Sequence, residues 1–292
     1  QKKVKVCPIV FIFLFFGLFK AVAQEEEVSL VPSALTTGNV YALIIGISDY
    51  KDPKIKDLRY AHRDAEEFYN YLLSPAGGNI LPSNIRLLKN QDATVSNIYV
   101  AINWLQSVPK KGDIVYFYFA GHGDVENGLF ELGFLLAYDS PFQNYLNNAV
   151  RIEDINNMAN TLSVTKDVQA YLITDACHSG KLAGSDNRGK SLVGSQLSKV
   201  MSKEVRLASC EADQLSEESE LWGGGRGAFS WYLINGLKGL ADANTDSMVT
   251  FQEIKTYLEK KVPEDVAKLK NKEQFPVLDG KATIKMAIVN KM

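Results

Sequence analysis

Two apolar, strand-like stretches of the chain end in small and polar residues that can carry chemistry. Residues 171–173 are Tyr, Leu and Ile, and a segment of turn-forming residues that contains Cys177 follows them. Residues 113–119 have the same pattern and run into His122, which is flanked by two glycines. If the two strands are neighbours in a parallel sheet, both side chains emerge at the carboxyl edge, where open α/β sheets bind their ligands.

The order of the predicted elements is that of a doubly wound α/β protein. Residues 40–47 are continuously apolar, as in a strand that is covered on both faces, and the apolar period becomes helical over residues 58–73. This alternation of strand and helix builds a mostly parallel sheet with helices on both faces. The six strands we expect lie at residues 40–47, 85–88, 113–119, 168–174, 205–208 and 282–289. Further helices are predicted at residues 94–105, 152–162, 228–237 and 250–262.

The amino-terminal segment is typical of a secretory signal peptide. Three lysines within the first five residues precede an apolar run at residues 6–19, and Ala21 and Ala23 provide a small-x-small cleavage site. A membrane anchor is the alternative, but the run is shorter than the roughly 20 residues that a spanning helix needs. We therefore predict an exported protein, periplasmic or extracellular, with no stable membrane span after signal removal.

The predicted domain organisation is simple. Residues 1–23 form the signal peptide, residues 24–39 an irregular lead-in, and residues 40–292 one folded domain. Removal of the signal takes away four lysines and leaves 28 basic against 34 acidic residues, a formal charge of −6. No basic field of the kind that binds nucleic acid is present.

The number and position of the cysteines favour a thiol with a chemical role over a disulfide framework. Cys7 leaves with the signal, and Cys177 and Cys210 are too few to staple a domain of this size. An exported protein that keeps a thiol unpaired usually either buries it or uses it. The position of Cys177 at a strand end favours a chemical role for its thiol.

His122 is the predicted base for this thiol. A thiol becomes a useful nucleophile when a base raises its thiolate fraction, and imidazole is the common partner. The amides of Gly123 and Cys177 are the predicted donors to a developing oxyanion. His178 is less suitable, because adjacent side chains diverge in an extended chain. A structural cysteine with a turn-capping histidine is the alternative, which the matched pattern at two strand ends disfavours.

The two motifs together resemble those of the caspase-fold cysteine peptidases, in particular bacterial metacaspase-like members. Residues 120–124 read Ala-Gly-His-Gly-Asp and residues 175–180 read Asp-Ala-Cys-His-Ser-Gly. The cysteine follows the histidine by 55 positions, near the roughly 50 typical of caspases. The resemblance spans residues 40–289 and implies a caspase-like peptidase domain with a Cys-His dyad and no required cofactor.

The residue two positions before the cysteine separates metacaspases from caspases. Caspases have Gln there, whereas this chain has Asp175. In metacaspases this Asp helps to form an acidic pocket for the residue before the cut, and a second pocket acid in the first helix matches Asp64. Two carboxylates that converge on a half-buried cleft favour a cationic partner. The resemblance therefore implies protein or peptide substrates with Arg or Lys before the cleaved bond. The alternatives are an ordinary helix-start acid for Asp64 and a turn former for Asp175.

A separate signal follows the EF-hand pattern, which makes Ca²⁺ a candidate ligand. Its ligand positions 1, 3, 5 and 12 match Asp242, Asn244, Asp246 and Glu253. Ser247 stands where Gly normally makes the sharp turn. The alternative is a helix start at which Thr250 and Glu253 form a capping box.

The function predicted from the sequence is an exported cysteine endopeptidase. A non-catalytic caspase-fold binding module is the alternative, and it would be marked by loss of His122 or Cys177, both of which are present. A flavodoxin-like nucleotide binder is disfavoured, because no predicted strand is followed by a Gly-rich phosphate loop that opens a helix.

Overall fold

The computed structural model describes residues 38–126, 132–178, 203–211 and 214–289, and for Cys177 and His178 it describes the backbone alone. The predicted signal peptide at residues 1–23 and nearly all of the lead-in at residues 24–39 lie outside the described residues. Within these ranges no helix has both the length and the apolar composition needed to cross a membrane.

The described elements alternate between strand and helix along most of the chain. The strands are β1 (Val40–Gly46), β2 (Ile85–Lys89), β3 (Ile114–Glu126), β4 (Leu132–Leu135), β5 (Val150–Arg151), β6 (Gln169–His178), β7 (Glu204–Ala208), β8 (Glu218–Ser219), β9 (Arg226–Gly227), β10 (Met248–Thr250), β11 (Val277–Asp279) and β12 (Lys285–Ile288). The α-helices are α1 (Ala61–Leu73), α2 (Val95–Ser107), α3 (Ile152–Asn160), α4 (Ala228–Asn235) and α5 (Phe251–Lys270).

The main sheet confirms the predicted mostly parallel architecture, but it has eight strands among the described residues rather than the predicted six. Among the described residues its strand order is β11-β7-β6-β3-β1-β2, and all neighbours are parallel except β11, which is antiparallel to β7. The short strands β4 and β5 add antiparallel pairing beyond the carboxyl end of β3. The catalytic candidates therefore lie where the sheet is still paired on both sides of β3.

Both faces of the sheet are covered, which explains why the central strands are apolar throughout. Alternate residues of a strand point to opposite faces. In β3, Tyr118 packs in the cluster that contains residues of α1, α4 and α5, whereas Phe117 and Phe119 pack in the cluster that contains residues of α2 and α3. The fold is thus doubly wound, as predicted.

The predicted pairing of the last strand is wrong. Strand β12, which lies within the predicted segment 282–289, pairs with β10 in a separate two-stranded sheet. The sixth strand of the main sheet is β11. A pattern of buried residues indicates that a segment is extended, but it does not name the partner strand, and the three residues of β11 are too few to show a period.

Helix α5 continues past the predicted end at residue 262 and through Pro263. Proline inside a helix removes one hydrogen bond and costs about 3 kcal/mol. The helix nevertheless buries a stripe that repeats every four residues on both sides of the proline, namely Ile254, Leu258, Val262 and Val266. Burial of this stripe outweighs the local cost, so the helix ends only at Lys270.

Gly46 lets α1 pack closely against the sheet, and we expect Gly46→Ala to destabilise the fold. A Cβ at this position would lie 2.5 Å from Ala65 Cβ and 2.6 Å from the Ala61 carbonyl oxygen. Overpacking of this kind typically lowers the free energy of unfolding by about 1–3 kcal/mol. Urea denaturation measures the change. Val100→Ala on the exposed face of α2 is the control and should change it by less than about 0.5 kcal/mol. Equal midpoints for both variants would contradict the prediction.

Candidate active site

His122 and Cys177 occupy facing positions of the parallel ladder between β3 and β6. The sequence placed both residues just past their strands, and that detail is wrong, because β3 continues to Glu126 and β6 to His178. The apolar runs end earlier, but the backbone stays extended because its polar groups continue to pair across the sheet. The predicted dyad therefore belongs to two adjacent strands whose register is fixed.

The side chain of His122 is buried and oriented by the loop between β1 and α1. It is 5% exposed, and its Nε2 lies 2.7 Å from the carbonyl oxygen of Lys56. A carbonyl oxygen only accepts hydrogen bonds, so Nε2 carries the proton and Nδ1 is the proton acceptor of the neutral ring. The hydroxyl of Tyr50 accepts the backbone N–H of His122 at 2.8 Å, and the two rings pack with centroids 5.0 Å apart.

The glycines that flank His122 have different surroundings. A Cβ at Gly121 would lie 3.0 Å from Tyr50 Oη and 3.0 Å from the Phe119 ring, so a larger residue would displace the tyrosine. Gly123 lies opposite Leu135 of β4 and opposite His178 of β6. The amides of Gly123 and Cys177 remain the predicted oxyanion donors.

The two predicted pocket acids lie close together. Asp64 is in the first turn of α1 and 3% exposed, and Asp175 is on β6 and 6% exposed. A Cβ placed on Gly227 would lie 3.1 Å from Asp64 Oδ2 and 2.9 Å from Asp175 Oδ2. Only glycine fits between the two carboxylates without moving them.

Each carboxylate is held by donors that the sequence reasoning missed. Asp64 accepts from Arg226 Nε at 2.5 Å and from the Gly227 amide at 2.9 Å. Asp175 accepts from the hydroxyls of Ser216 at 2.6 Å and Ser230 at 2.5 Å. The signal that could have revealed the first donor is a charged residue, Arg226, within a run of glycines at 223–227.

Burial raises the pKa of Asp64 to about 8. The neighbouring Asp175 carboxylate contributes to the rise, whereas the guanidinium of Arg226 and the hydrogen bond from Gly227 oppose it. The carboxyl group of Asp64 is therefore a weaker acid than an exposed aspartate, even with a cation in contact.

The EF-hand-like loop adopts part of the expected backbone geometry. Ser247 has φ +68°, the left-handed conformation that Gly normally provides at that position. Asp242 Oδ2 accepts from the Ser247 amide at 3.1 Å, and Asp246 Oδ1 accepts from the Met248 amide at 2.9 Å. Asn244 Oδ1 accepts from the Asp246 amide at 2.9 Å. The side chains thus organise the turn by hydrogen bonds to its backbone.

The capping box given as the alternative is present at the start of α5. Thr250 Oγ1 accepts from the Glu253 amide, and Glu253 Oε2 accepts from the Thr250 amide. In the described ranges no group of three or more His, Cys, Asp or Glu side chains is arranged to hold a metal ion. Calcium binding at this loop stays a prediction.

The ladder of β3 and β6, with a histidine and a cysteine at facing positions, defines a caspase-like domain. The sequence matches the family model of the caspase domain over residues 39–287. The chain therefore belongs to the caspase-domain family and is a caspase-like peptidase at the level of that family.

Two further comparisons bear on this chain. No curated protein matches its sequence. The crystal structure of protein GSU0716 from Geobacter sulfurreducens is similar to it with a TM-score of 0.58 at 16% identity, covering 86% of this chain and 100% of that one. At this identity the likeness shows the fold alone.

We expect Asp64→Asn to flatten the pH dependence of stability. The pKa of Asp64 is about 8 in the folded chain against an ordinary value of 3.8, so the folded state retains a proton that the unfolded state releases. This stabilisation is complete below about pH 4 and is lost as the pH rises through about 8. The wild-type free energy of unfolding should therefore fall across this range relative to that of the variant, as measured by urea denaturation. Parallel pH profiles would refute the raised pKa, whatever the constant offset between the two proteins.

For calcium, the predicted result is one Ca²⁺ bound per chain in a calorimetric titration of the mature protein. Asp246→Ala removes a carboxylate at position 5 of the loop and should abolish the heat of binding, because EF-hand affinity follows the charge and number of its oxygen ligands. No heat of binding with the wild-type protein would rule the site out.

Proposed function

We propose that this chain is an exported cysteine endopeptidase that cleaves after Arg or Lys through a Cys177–His122 dyad. The observation that carries the proposal is the ladder register that sets these two residues opposite each other on adjacent strands. Membership of the caspase-domain family supports the reaction class. Export is supported by the sequence of residues 1–23.

In the proposed mechanism Cys177 forms the bond to the substrate carbonyl carbon. His122 Nδ1 takes the thiol proton and then gives it to the leaving amine as the peptide bond breaks, which leaves a thioester on Cys177. A water molecule, deprotonated by the same nitrogen, then hydrolyses the thioester and regenerates the thiol. The hydrogen bond from Nε2 to the Lys56 carbonyl supports this role, because it leaves Nδ1 as the acceptor.

The proposed specificity for Arg or Lys is supported by the convergence of two buried carboxylates. Both Oδ2 atoms approach Gly227: a Cβ there would lie 3.1 Å from that of Asp64 and 2.9 Å from that of Asp175. A cationic side chain that approaches such a pair gains charge-assisted hydrogen bonds that an acidic or apolar side chain does not.

The non-catalytic binding module is less well supported. A module that only binds has no need for an imidazole whose ring is packed against Tyr50 and hydrogen-bonded at Nε2, opposite a cysteine on the next strand. Such an oriented base is what general-base chemistry requires.

The test is cleavage of fluorogenic peptides that end in Arg, Lys, Asp or Ala by the mature protein. We expect cleavage after Arg and Lys, and a loss of at least about 10³-fold in kcat/KM for Cys177→Ala and for His122→Ala, because each removes a member of a unit that acts together. Cys210→Ala, which removes the other thiol of the mature chain, is the matched control and should retain activity.

The outcomes separate the parts of the proposal. A preference for Asp or Ala that disappears in Cys177→Ala would keep the dyad and overturn the role of the two acids. Activity that survives in Cys177→Ala would overturn the dyad. Absence of cleavage of any peptide, together with a confirmed reactive thiol, would favour the binding module.

A further inference from the structure

The proposed pocket already contains a cation of the chain's own. Arg226 is 4% exposed, its Nε donates to Asp64 Oδ1 at 2.5 Å, and its Nη1 lies 3.6 Å from Glu67 Oε2. The Glu67 side chain is 44% exposed and makes the longer contact, so Asp64 is the main partner of the guanidinium. An arginine is thus present where a substrate cation would meet the first of the two acids.

The two acids differ in what balances them. Asp64 faces Arg226, whereas the donors to Asp175 among the described residues are two neutral hydroxyls, those of Ser216 and Ser230. In the part of the chain that the structure describes, Asp175 takes part in no ion pair. The negative charge of Asp175 is therefore not balanced by a cation of the described chain.

Asp64 has no charge to offer a substrate in either protonation state. When its carboxyl group is ionised, the adjacent guanidinium balances the charge, and when it is protonated, it carries no charge. The acids Asp64 and Asp175 together with Arg226 therefore present at most one net negative charge. When Asp64 is protonated, Arg226 offsets the charge of Asp175 as well, so the arginine limits how strongly the pocket attracts a cation.

We infer that Arg226 is a specificity-determining residue of the pocket: its guanidinium, held in place by Asp64, offsets the negative charge of the pocket and leaves Asp175 as the acid that binds the cation of the substrate. This inference rests on the proposed function and divides the recognition between the two acids unequally. Removal of the Arg226 charge takes a positive charge away from the neighbourhood of Asp175 and should therefore strengthen the binding of cationic substrates.

A second observation points to the same residue. Arg226 Nη2 is buried and has no hydrogen-bond acceptor among the described residues. A buried guanidinium with an unused donor is unfavourable, and its presence calls for an explanation other than stability. Control of the charge beside Asp64 is such an explanation.

The segment that carries Arg226 also encloses the acids. Strand β9 pairs with β8, and its Gly227 fills the space between the two carboxylates. The preceding glycines, Gly223, Gly224 and Gly225, all have positive φ. Arg226 therefore reaches Asp64 from a backbone conformation that only glycine adopts readily.

The test compares two peptides that differ in charge alone, one with Arg and one with citrulline before the cleaved bond. The ratio of their kcat/KM values isolates recognition of the cation from the chemistry of the dyad. We expect Asp175→Asn to lower this ratio at least about tenfold and Asp64→Asn to change it by less than about threefold. Arg226→Gln should raise the ratio at least about tenfold, through KM rather than kcat.

Two further variants link the effect to charge. Arg226→Lys keeps the cation and should keep the ratio near that of the wild type. Because the pKa of Asp64 is about 8, its carboxyl group is largely protonated near neutral pH and Asn replaces it without loss of charge. The Asp64→Asn/Arg226→Gln double variant should therefore keep the gain of Arg226→Gln. In this double variant two neutral amide side chains lie side by side. It can therefore replace Arg226→Gln in the experiment if that single variant does not fold.

Arg206→Gln is the matched control. Arg206 is another buried arginine, and it pairs with Glu204 at 2.8 Å on β7, away from the two acids. Its substitution should lower the melting temperature without altering the ratio. A change in the ratio in this variant would show that loss of any buried arginine has the effect and would refute the inference.

The remaining outcomes are also decisive. Equal losses in Asp64→Asn and Asp175→Asn, with no gain in Arg226→Gln, would show that Arg226 is only structural and would refute the inference while the proposed function stands. Cleavage of neither peptide by the wild-type protein would refute the proposed function and this inference with it.

Discussion

The parallel ladder between β3 and β6 is the interaction on which the rest of the structure depends. Its register sets His122 opposite Cys177, and apolar residues well before these positions fix it. Tyr116 stacks on Tyr171 with ring centroids 4.8 Å apart, and each face of both strands packs against helices. A slip by one residue would turn every side chain of one strand to the wrong face. The hydrophobic core therefore determines the spacing of the polar residues at the sheet edge.

The pair of acids next to this ladder follows from a second constraint. Two carboxylates buried side by side are unfavourable unless each receives hydrogen-bond donors. The chain supplies a guanidinium and an amide to Asp64 and two hydroxyls to Asp175. Gly227 allows this arrangement because it has no side chain at the point where the two Oδ2 atoms approach. The segment of Arg226 and Gly227 thus donates hydrogen bonds to Asp64 and lies between the two carboxyl groups.

The sequence predicted those features that depend on local pattern. Continuous apolar runs predicted the central strands such as β1 and their coverage on both faces, and the two strand-end motifs predicted the pairing of His122 with Cys177. It did not predict β11 or the partner of β12, because short strands carry no period. It also missed the contact of Arg226 with Asp64, which joins residues 162 positions apart. Such a contact depends on how the finished sheet brings distant segments together, and no local pattern reports it.

The chain order of these parts has a consequence for how the protein can evolve. The strands that carry His122 and Cys177 lie in the middle of the sequence, whereas the donors to the two acids that the structure describes lie between residues 216 and 230. In the proposed function, Asp175 shares its stretch of the gene with Cys177, whereas the groups that donate to the two acids are encoded in a later stretch. Under that proposal, mutations in the later stretch would alter the surroundings of the two acids while His122 and Cys177 are inherited unchanged.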